Sequence, residues 1–173
     1  MDNKATTPAI KGVVISLILI VYSLVIYFTN QIGNQALSYL QMVIFLIGII
    51  WSCINYSKQM NANVTYGNVF GHGFKAAAAV ISITVLYTVI SMKFLFPDMI
   101  DKGMRIAREK MEETGKLSDS QIDQQLGFYK DHALMFTLAS VIIFMALVGL
   151  IASLIGAAVA KKRPQDPFGN QII

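Results

Sequence analysis

Charge is what this sequence of 173 residues has least of. Acidic and basic residues make up 14% of it and hydrophobic residues 55%, whereas a soluble domain carries roughly 25% charged and 45–50% apolar residues. The shortage is uneven. Eight of the ten acidic residues lie between Pro97 and His132, and none lies in the long apolar runs on either side. Proton and ion relays in a bilayer run through intramembrane Asp, Glu or His, so this gap disfavours a proton-coupled transporter. Cysteine is nearly absent as well. Cys53 stands alone, which excludes an internal disulfide and leaves the redox compartment open. A net charge of +4 is carried by bases at the ends of apolar runs and in a mixed-charge segment. No basic stripe with interleaved aromatics exists, so nucleic acid is excluded as a partner.

What the sequence has is long apolar runs. A spanning helix needs about 20 predominantly apolar residues, and four segments qualify: 12–30, 36–55, 74–96 and 133–160. Met1 to Lys11 reads as a short polar tail before the first. A cleaved signal peptide is the rival reading there, but its apolar region is roughly 7–15 residues long and ends at small residues. This run is longer and ends in Tyr27-Phe28-Thr29-Asn30. Gly33-Asn34 centres a short uncharged turn that forces spans one and two into an antiparallel hairpin. Trp51 and Tyr56 suit the headgroup level. Thr65 has the position of a helix cap. Tyr66, Phe70 and Phe74 then form an aromatic stripe at i, i+4 and i+8. Gly71-His72-Gly73 predicts a weakened or kinked join into the third span, because glycine is a poor helix former. Lys75 and Lys93, near the ends of that span, can snorkel to the interface. Lys161-Lys162-Arg163-Pro164 stops the fourth.

The segment 97–132 belongs in water. Pro97 suits a helix start. Ile100, Met104, Ala107 and Met111 repeat at helical spacing, and Asp98/Lys102, Asp101/Arg105 and Arg108/Glu112 are opposite charges four residues apart. Gly115 is placed to stop this helix, and Ser118 with Gln121 has the spacing of a capping box. A second helix should carry Ile122, Leu126 and Tyr129 on its apolar side. The fold class expected is therefore an all-α membrane protein, a single integral membrane domain over 1–173. It has four transmembrane helices in a four-helix bundle, with a two-helix extracytoplasmic excursion between spans three and four.

Lipid removes the hydrophobic drive between helices, so small residues should make the contacts. Gly149, Ser153, Gly156 and Ala157 in the fourth span are the expected packing residues, and that span the central helix. Ala78 with Ser82, Gly48 with Ser52 and Gly12 with Ser16 repeat the spacing in the other spans. Small residues are common in membrane helices, so packing is the plainer reading than a site. Lys4 and Lys11 before the first span, and the Lys-Lys-Arg cluster after the fourth, put both termini in the cytoplasm by the positive-inside rule.

The segment Tyr66-Gly67-x-x-Phe70-x-x-Gly73-Phe74 makes up an interfacial motif. It is followed by a span, by Pro97-Asp98 opening a charged helix pair, and by Gly149-Leu150-Ile151 and Leu154-Ile155-x-Ala157-Ala158 before a lysine stop. This arrangement resembles a family of small four-span bacterial membrane proteins known only as domain of unknown function 4199. The resemblance covers nearly the whole chain. It implies a four-helix architecture in the bacterial inner membrane, and it transfers no activity, substrate or catalytic residue.

Little in the residues points to chemistry. His72 and His132 fall on opposite sides of a four-span bundle and cannot share a metal. His132 with Asp131 and Asp123 is better read as interfacial solvation than as a metal site. Cys53 has no histidine on its own helix turn, which argues against a nucleophile. Gly71-x-Gly73 lacks the spacing and ending of a phosphate loop. Glu109, Glu112 and Glu113 interleave with Arg105, Arg108 and Lys110, as on a salt-bridged helix face. Tyr22, Asn55, Tyr87 and Thr88 bond across helices or line a narrow path. No catalytic, cofactor-binding or metal-binding residue is expected, and no cofactor. The partners expected are the lipid bilayer and a second copy or another membrane protein. The expected role is a non-enzymatic scaffold or accessory protein that acts through partner proteins. The alternative is a small transporter or channel subunit, which a polar cavity past Tyr87 and Asn55 would favour.

Overall fold

The computed structural model of the chain describes residues 5–162. Lys4, Arg163, Pro164 and the tail Gln165 to Ile173, to which the sequence reading gives orienting or terminal roles, lie outside the described residues. Thr7 caps α1 (Pro8–Phe28), its hydroxyl accepting from the Ile10 N–H, and Pro8 fills the first helical position, where a missing N–H costs nothing. Lys11 is therefore one turn inside this helix, not in a polar tail ahead of it. Asn34 caps α2 (Gln35–Gln59) by accepting from the Ala36 N–H at 3.0 Å. Thr65 caps α3 (Tyr66–Ile90), accepting from the Asn68 N–H at 3.2 Å. The expected join at Gly71-His72-Gly73 is absent, and α3 runs through it unbroken. Packing overrides propensity there, because Gly73 is a buried contact point.

Beyond Ile90 the helix widens into a π-helical turn, Ser91–Leu95, closed by the Phe96 N–H donating to the Ser91 carbonyl at 2.7 Å. Two shorter helices follow, α4 (Met99–Thr114) and α5 (Asp119–Asp131), and then α6 (Ala133–Val159). Gly115 ends α4 in the left-handed region at φ +61, as its position predicts. The Gln121 side chain accepts from the Ser118 N–H at 3.0 Å and so opens α5. Four helices, 8–28, 35–59, 66–95 and 133–159, are long and apolar enough to cross a membrane. The described residues contain no strand.

The four long helices form a bundle in which α3 packs against α1, α2 and α6. The sequence reading made the fourth span central. The structure gives that place to α3, while α6 packs mainly on α3 and α2. The closest contacts are made by small residues, and they lie toward one end. A Cβ on Gly12 would come within 2.6 Å of the Ala79 Cβ, one on Gly149 within 2.8 Å of the Ala77 Cβ, and one on Gly156 within 2.7 Å of the Cys53 Cβ. Gly73 faces the Cys53 thiol and Ser153. Ala78 and Ser82, expected to pack, are exposed; the buried face of α3 is Val69, Gly73, Ala76, Ala77 and Val80. Both apolar clusters, around Ile49 and around Val69, lie at this closed end. Along 20–44, 81–90 and 134–148 no residue is fully buried. The helices are tightly packed at one end and loosely packed in these stretches, and Ser91, Met92, Phe96 and Ala133 are buried again beneath the hairpin.

Substitution at the glycines tests that description. Gly12→Ala and Gly156→Ala should each lower stability by about 1–3 kcal/mol through overpacking, read as thermal unfolding in detergent. Gly73→Ala should do the same and be partly rescued by Cys53→Ala, a coupling expected of residues in contact. Gly71→Ala, whose Cβ would meet nothing within 4 Å, should instead stabilise by about 0.5–1 kcal/mol.

Candidate functional site

The loosely packed half leaves space between the helices, partly open to the outside. A cavity of about 370 Å³ lies between all four spans, walled by Leu19, Ser23, Phe45, Thr84, Tyr87 and Met145 among others. A second, of about 280 Å³, continues from it and shares Ser23, Tyr87, Thr88 and Val141. Its remaining wall is Ser91 and Met92 of the π-helical turn, then Met99, Ile100 and Gly103 of α4, Tyr129 of α5, and Ala133 and Thr137 of α6. The α4–α5 hairpin is thus the roof, and the close-packed end is the floor. Asn55 is in neither wall. Tyr22 bonds across helices instead, its hydroxyl donating to the Leu37 carbonyl at 3.0 Å.

The roof is fastened at the start of α4. The Tyr27 hydroxyl donates to Asp98 Oδ1 at 2.8 Å, and Lys102 Nζ pairs with Asp98 Oδ2 at 2.8 Å while lying 4.7 Å from the centre of the Tyr27 ring. Ile106 meets Gly33 of the α1–α2 turn. Lys102, and then the Tyr27 hydroxyl, hold the Asp98 carboxyl below the usual carboxylate range; Asp98 in turn raises Lys102. Arg108 bridges the two hairpin helices by pairing with Asp123 as well as Glu112, and its pKa is raised, chiefly by Asp123. Asp101 does not pair with Arg105 as its spacing predicts. It reaches Lys130 of α5 at 3.4 Å, because tertiary contact between the helices wins over the local pairing.

A polar cluster is sealed in the opposite, closed end. Lys11 is 2% exposed, and its Nζ donates to the Ser52 carbonyl at 3.2 Å and lies 6.0 Å from the Tyr56 ring centre. His72 stacks on Tyr56 at 4.2 Å. His72 Nε2 and the Ser52 hydroxyl have no partner. Sequence reasoning missed Lys11 as a buried group. The signal was present: Lys11, Ile15 and Leu19 are spaced four apart on one helix face, and Thr7-Pro8 marks the helix start ahead of them.

The residues singled out from sequence separate into three places. Gly149, Ser153, Gly156 and Ala157 are all buried on the inner face of α6. In the interfacial motif Gly73 is buried, while Gly67 is open to solvent and Tyr66 and Phe74 are exposed. The Tyr66 hydroxyl donates to the Leu154 carbonyl at 3.3 Å, and the Phe70 and Phe74 rings stack at 5.9 Å. Lys162 donates to the Ala157 carbonyl and covers the Tyr66 ring at 5.2 Å. The motif therefore ties the start of α3 to the end of α6. His132 is exposed, with its ring nitrogen 3.1 Å from the Phe128 carbonyl. No cluster of three or more metal-ligating side chains occurs among the described residues.

The pH dependence of the fastening follows from the sign of the Asp98 shift. A carboxyl whose pKa is lower folded than unfolded stabilises above the ordinary carboxylate range, and that contribution is lost as pH falls through the lowered value. Acidification should therefore lower the hydrogen-exchange protection factors at the start of α4, taken against the intrinsic rate at each pH. Asp98→Asn should already show the lower protection at neutral pH and lose the acid-dependent step.

A family model described as a protein of unknown function, DUF4199, matches residues 11–162. No curated protein and no solved structure matches the chain.

Proposed function

This chain belongs to the DUF4199 family of proteins of unknown function, and we propose that it is a non-enzymatic accessory protein of the bacterial inner membrane that acts through partner proteins. The observation that carries this reading is the hairpin. α4 buries no residue and α5 only Ile122. Between them lies an open groove of about 730 Å³ walled by Ala107, Met111, Leu126, Phe128 and Phe136. Phe128 is 60% exposed. A helix with an apolar face fits such a groove at i, i+3, i+4 and i+7. A second reading, a small transporter or channel subunit, draws on the cavity that reaches Tyr87 and Thr88. The floor of that cavity counts against it. Leu19 and Phe45 end the cavity, and the Gly149–Ala77 contact lies beyond them.

Charge placement supports cytoplasmic termini and a hairpin outside. At the closed end the described residues include Lys11, Lys58, Lys75, Lys161 and Lys162 and no acidic residue. Every described acidic residue is at the hairpin end. α1 has Lys11 near its start and an uncharged turn after its end, and the first helix usually dominates orientation. In intact cells, a membrane-impermeant amine reagent should modify Lys116 and spare Lys161. The reverse pattern would invert the orientation.

The partner role is tested with a photo-crosslinking residue placed at Met111 or Leu126, and for comparison at Leu17 on the outer face of α1. The hairpin probes should give a discrete crosslinked protein, lost when Phe128→Glu is added; the Leu17 probe should not. Crosslinks to lipid alone from all three positions would refute the reading. Differently tagged copies decide whether the trapped protein is a second copy of this chain.

A further inference from the structure

The paired cavities under the hairpin suit a ligand whose chemistry their walls define. We propose that they bind one neutral, single-chain amphiphile. Its uncharged head, bearing hydroxyl or carbonyl oxygens, sits among Ser23, Tyr87 and Ser91. Its hydrocarbon chain runs down between Leu19, Phe45 and Met145.

Size comes first. At about 370 and 280 Å³ with four residues in common, the two cavities together fall within the roughly 300–1,000 Å³ of small-molecule sites. Charge comes next. Neither wall contains Asp, Glu, Lys, Arg or His. A phosphate, carboxylate or ammonium head would lose its water and find no opposite charge. Neutral oxygens would find donors and acceptors.

The hydroxyls mark where the head lies. Serine and threonine in helices commonly satisfy themselves by donating to the carbonyl four residues back. Ser16, Ser82, Thr88 and Ser153 do so here. Thr84 and Ser91 do not, and their buried oxygens have no partner; Thr84 lines only the lower cavity, at the depth of the chain, and Ser91 only the upper, at the depth of the head. Ser91 is only 3% exposed. A buried unpaired hydroxyl is costly, and a ligand oxygen would remove that cost. Ser91 is also the first residue of the π-helical turn. Single π-turns inside helices concentrate at functional sites.

Polar side chains occur along the whole length, Ser38, Gln41, Thr84 and Ser140 in the lower cavity and Ser91, Tyr129 and Thr137 in the upper. The head is placed at the depth of the π-turn because Ser91 there is both buried and unpaired. Leu19, Phe45 and Met145 give the chain its apolar contacts.

The test uses the full-length protein in detergent and a monoacylglycerol carrying a diazirine in mid-chain. Photolysis should label peptides containing Leu19, Phe45 and Met145. Unlabelled monoacylglycerol should compete. The fatty acid of the same chain length, ionised at pH 9, should compete about tenfold more weakly or worse, since its head would be desolvated unpaired. Ser91→Ala should raise the thermal stability of the protein without ligand, yet weaken labelling about two- to tenfold, the worth of one hydrogen bond. Val141→Phe, which fills the wall shared by both cavities, should abolish labelling; Ser91→Ala keeps the test decisive if that variant fails to fold. Labelling confined to outward residues such as Leu17 and Ile143 would overturn the proposal. So would equal competition by the fatty acid, or labelling unchanged in Ser91→Ala.

Discussion

The contact of two glycines with one cysteine sets the geometry of this protein. Gly73 of α3 and Gly156 of α6 both close on Cys53 of α2, with no room for a methyl group at either position. Within lipid, apolar side chains gain nothing by leaving one apolar medium for another, so helix association depends on how closely backbones approach. At this point three helices approach too closely to admit a Cβ on Gly73 or Gly156. Gly12 against Ala79 brings in the fourth. Each contact is local, and each lies at the same end of the bundle. Moving away from it, no glycine lines the space between the helices, and its wall mixes Tyr87 and Met145 with serines and threonines.

The close-packed end also explains how a lysine is accommodated among apolar helices. Lys11 is the fourth residue of α1, about 4.5 Å from its start at 1.5 Å per residue, which is near enough to the interface to limit the cost of its charge. Its ammonium reaches the Ser52 carbonyl and the Tyr56 ring instead of snorkelling outward. The end of the bundle is stitched around it. Gln59 and Thr6 exchange hydrogen bonds, the Thr6 N–H reaching the Gln59 amide oxygen at 2.9 Å and the Gln59 amide reaching the Thr6 hydroxyl at 2.8 Å. Ser57 donates to the Lys161 carbonyl. The polar groups here link α1, α2 and the end of α6, so the same end is fixed twice, by packing and by hydrogen bonds.

How much of this was legible in the sequence depends on the range of the interaction. Helices, caps and the Gly115 stop come from local chemistry, and they stand where Thr65, Ser118 and Gly115 place them. The glycines of α6 were legible because periodicity alone puts Gly149, Ser153 and Gly156 near one face. Which helix they meet was not, because that depends on rotation about the axes, and Ala78 and Ser82 lost their place to Ala76 and Ala77 for the same reason. The candidate site was the least legible part. A cavity is where side chains fail to meet, and no spacing rule reports it. Ser91 looked like any serine in a span. Only its missing partner and its place at the π-turn distinguish it.

The hairpin occupies the end where the bundle itself contributes least. Beside the buried Ile122 and the Tyr129 contacts with Thr137 and Phe136, its fastenings are the exposed Tyr27–Asp98–Lys102 group and the Ile106–Gly33 contact, and exposed ion pairs add little because water competes for both partners. Elements with few buried contacts open at the lowest free-energy cost. With fewer buried residues, the roof of the cavity is expected to open at a lower cost than its floor. Any molecule that reaches the cavity from the hairpin side meets a movable cover and a fixed stop. A partner seated in the α4–α5 groove would press on the same cover, since Gly103 and Tyr129 line both the groove and the cavity beneath. A partner and the cavity contents would therefore share two residues of wall, and any coupling between them would act equally in both directions.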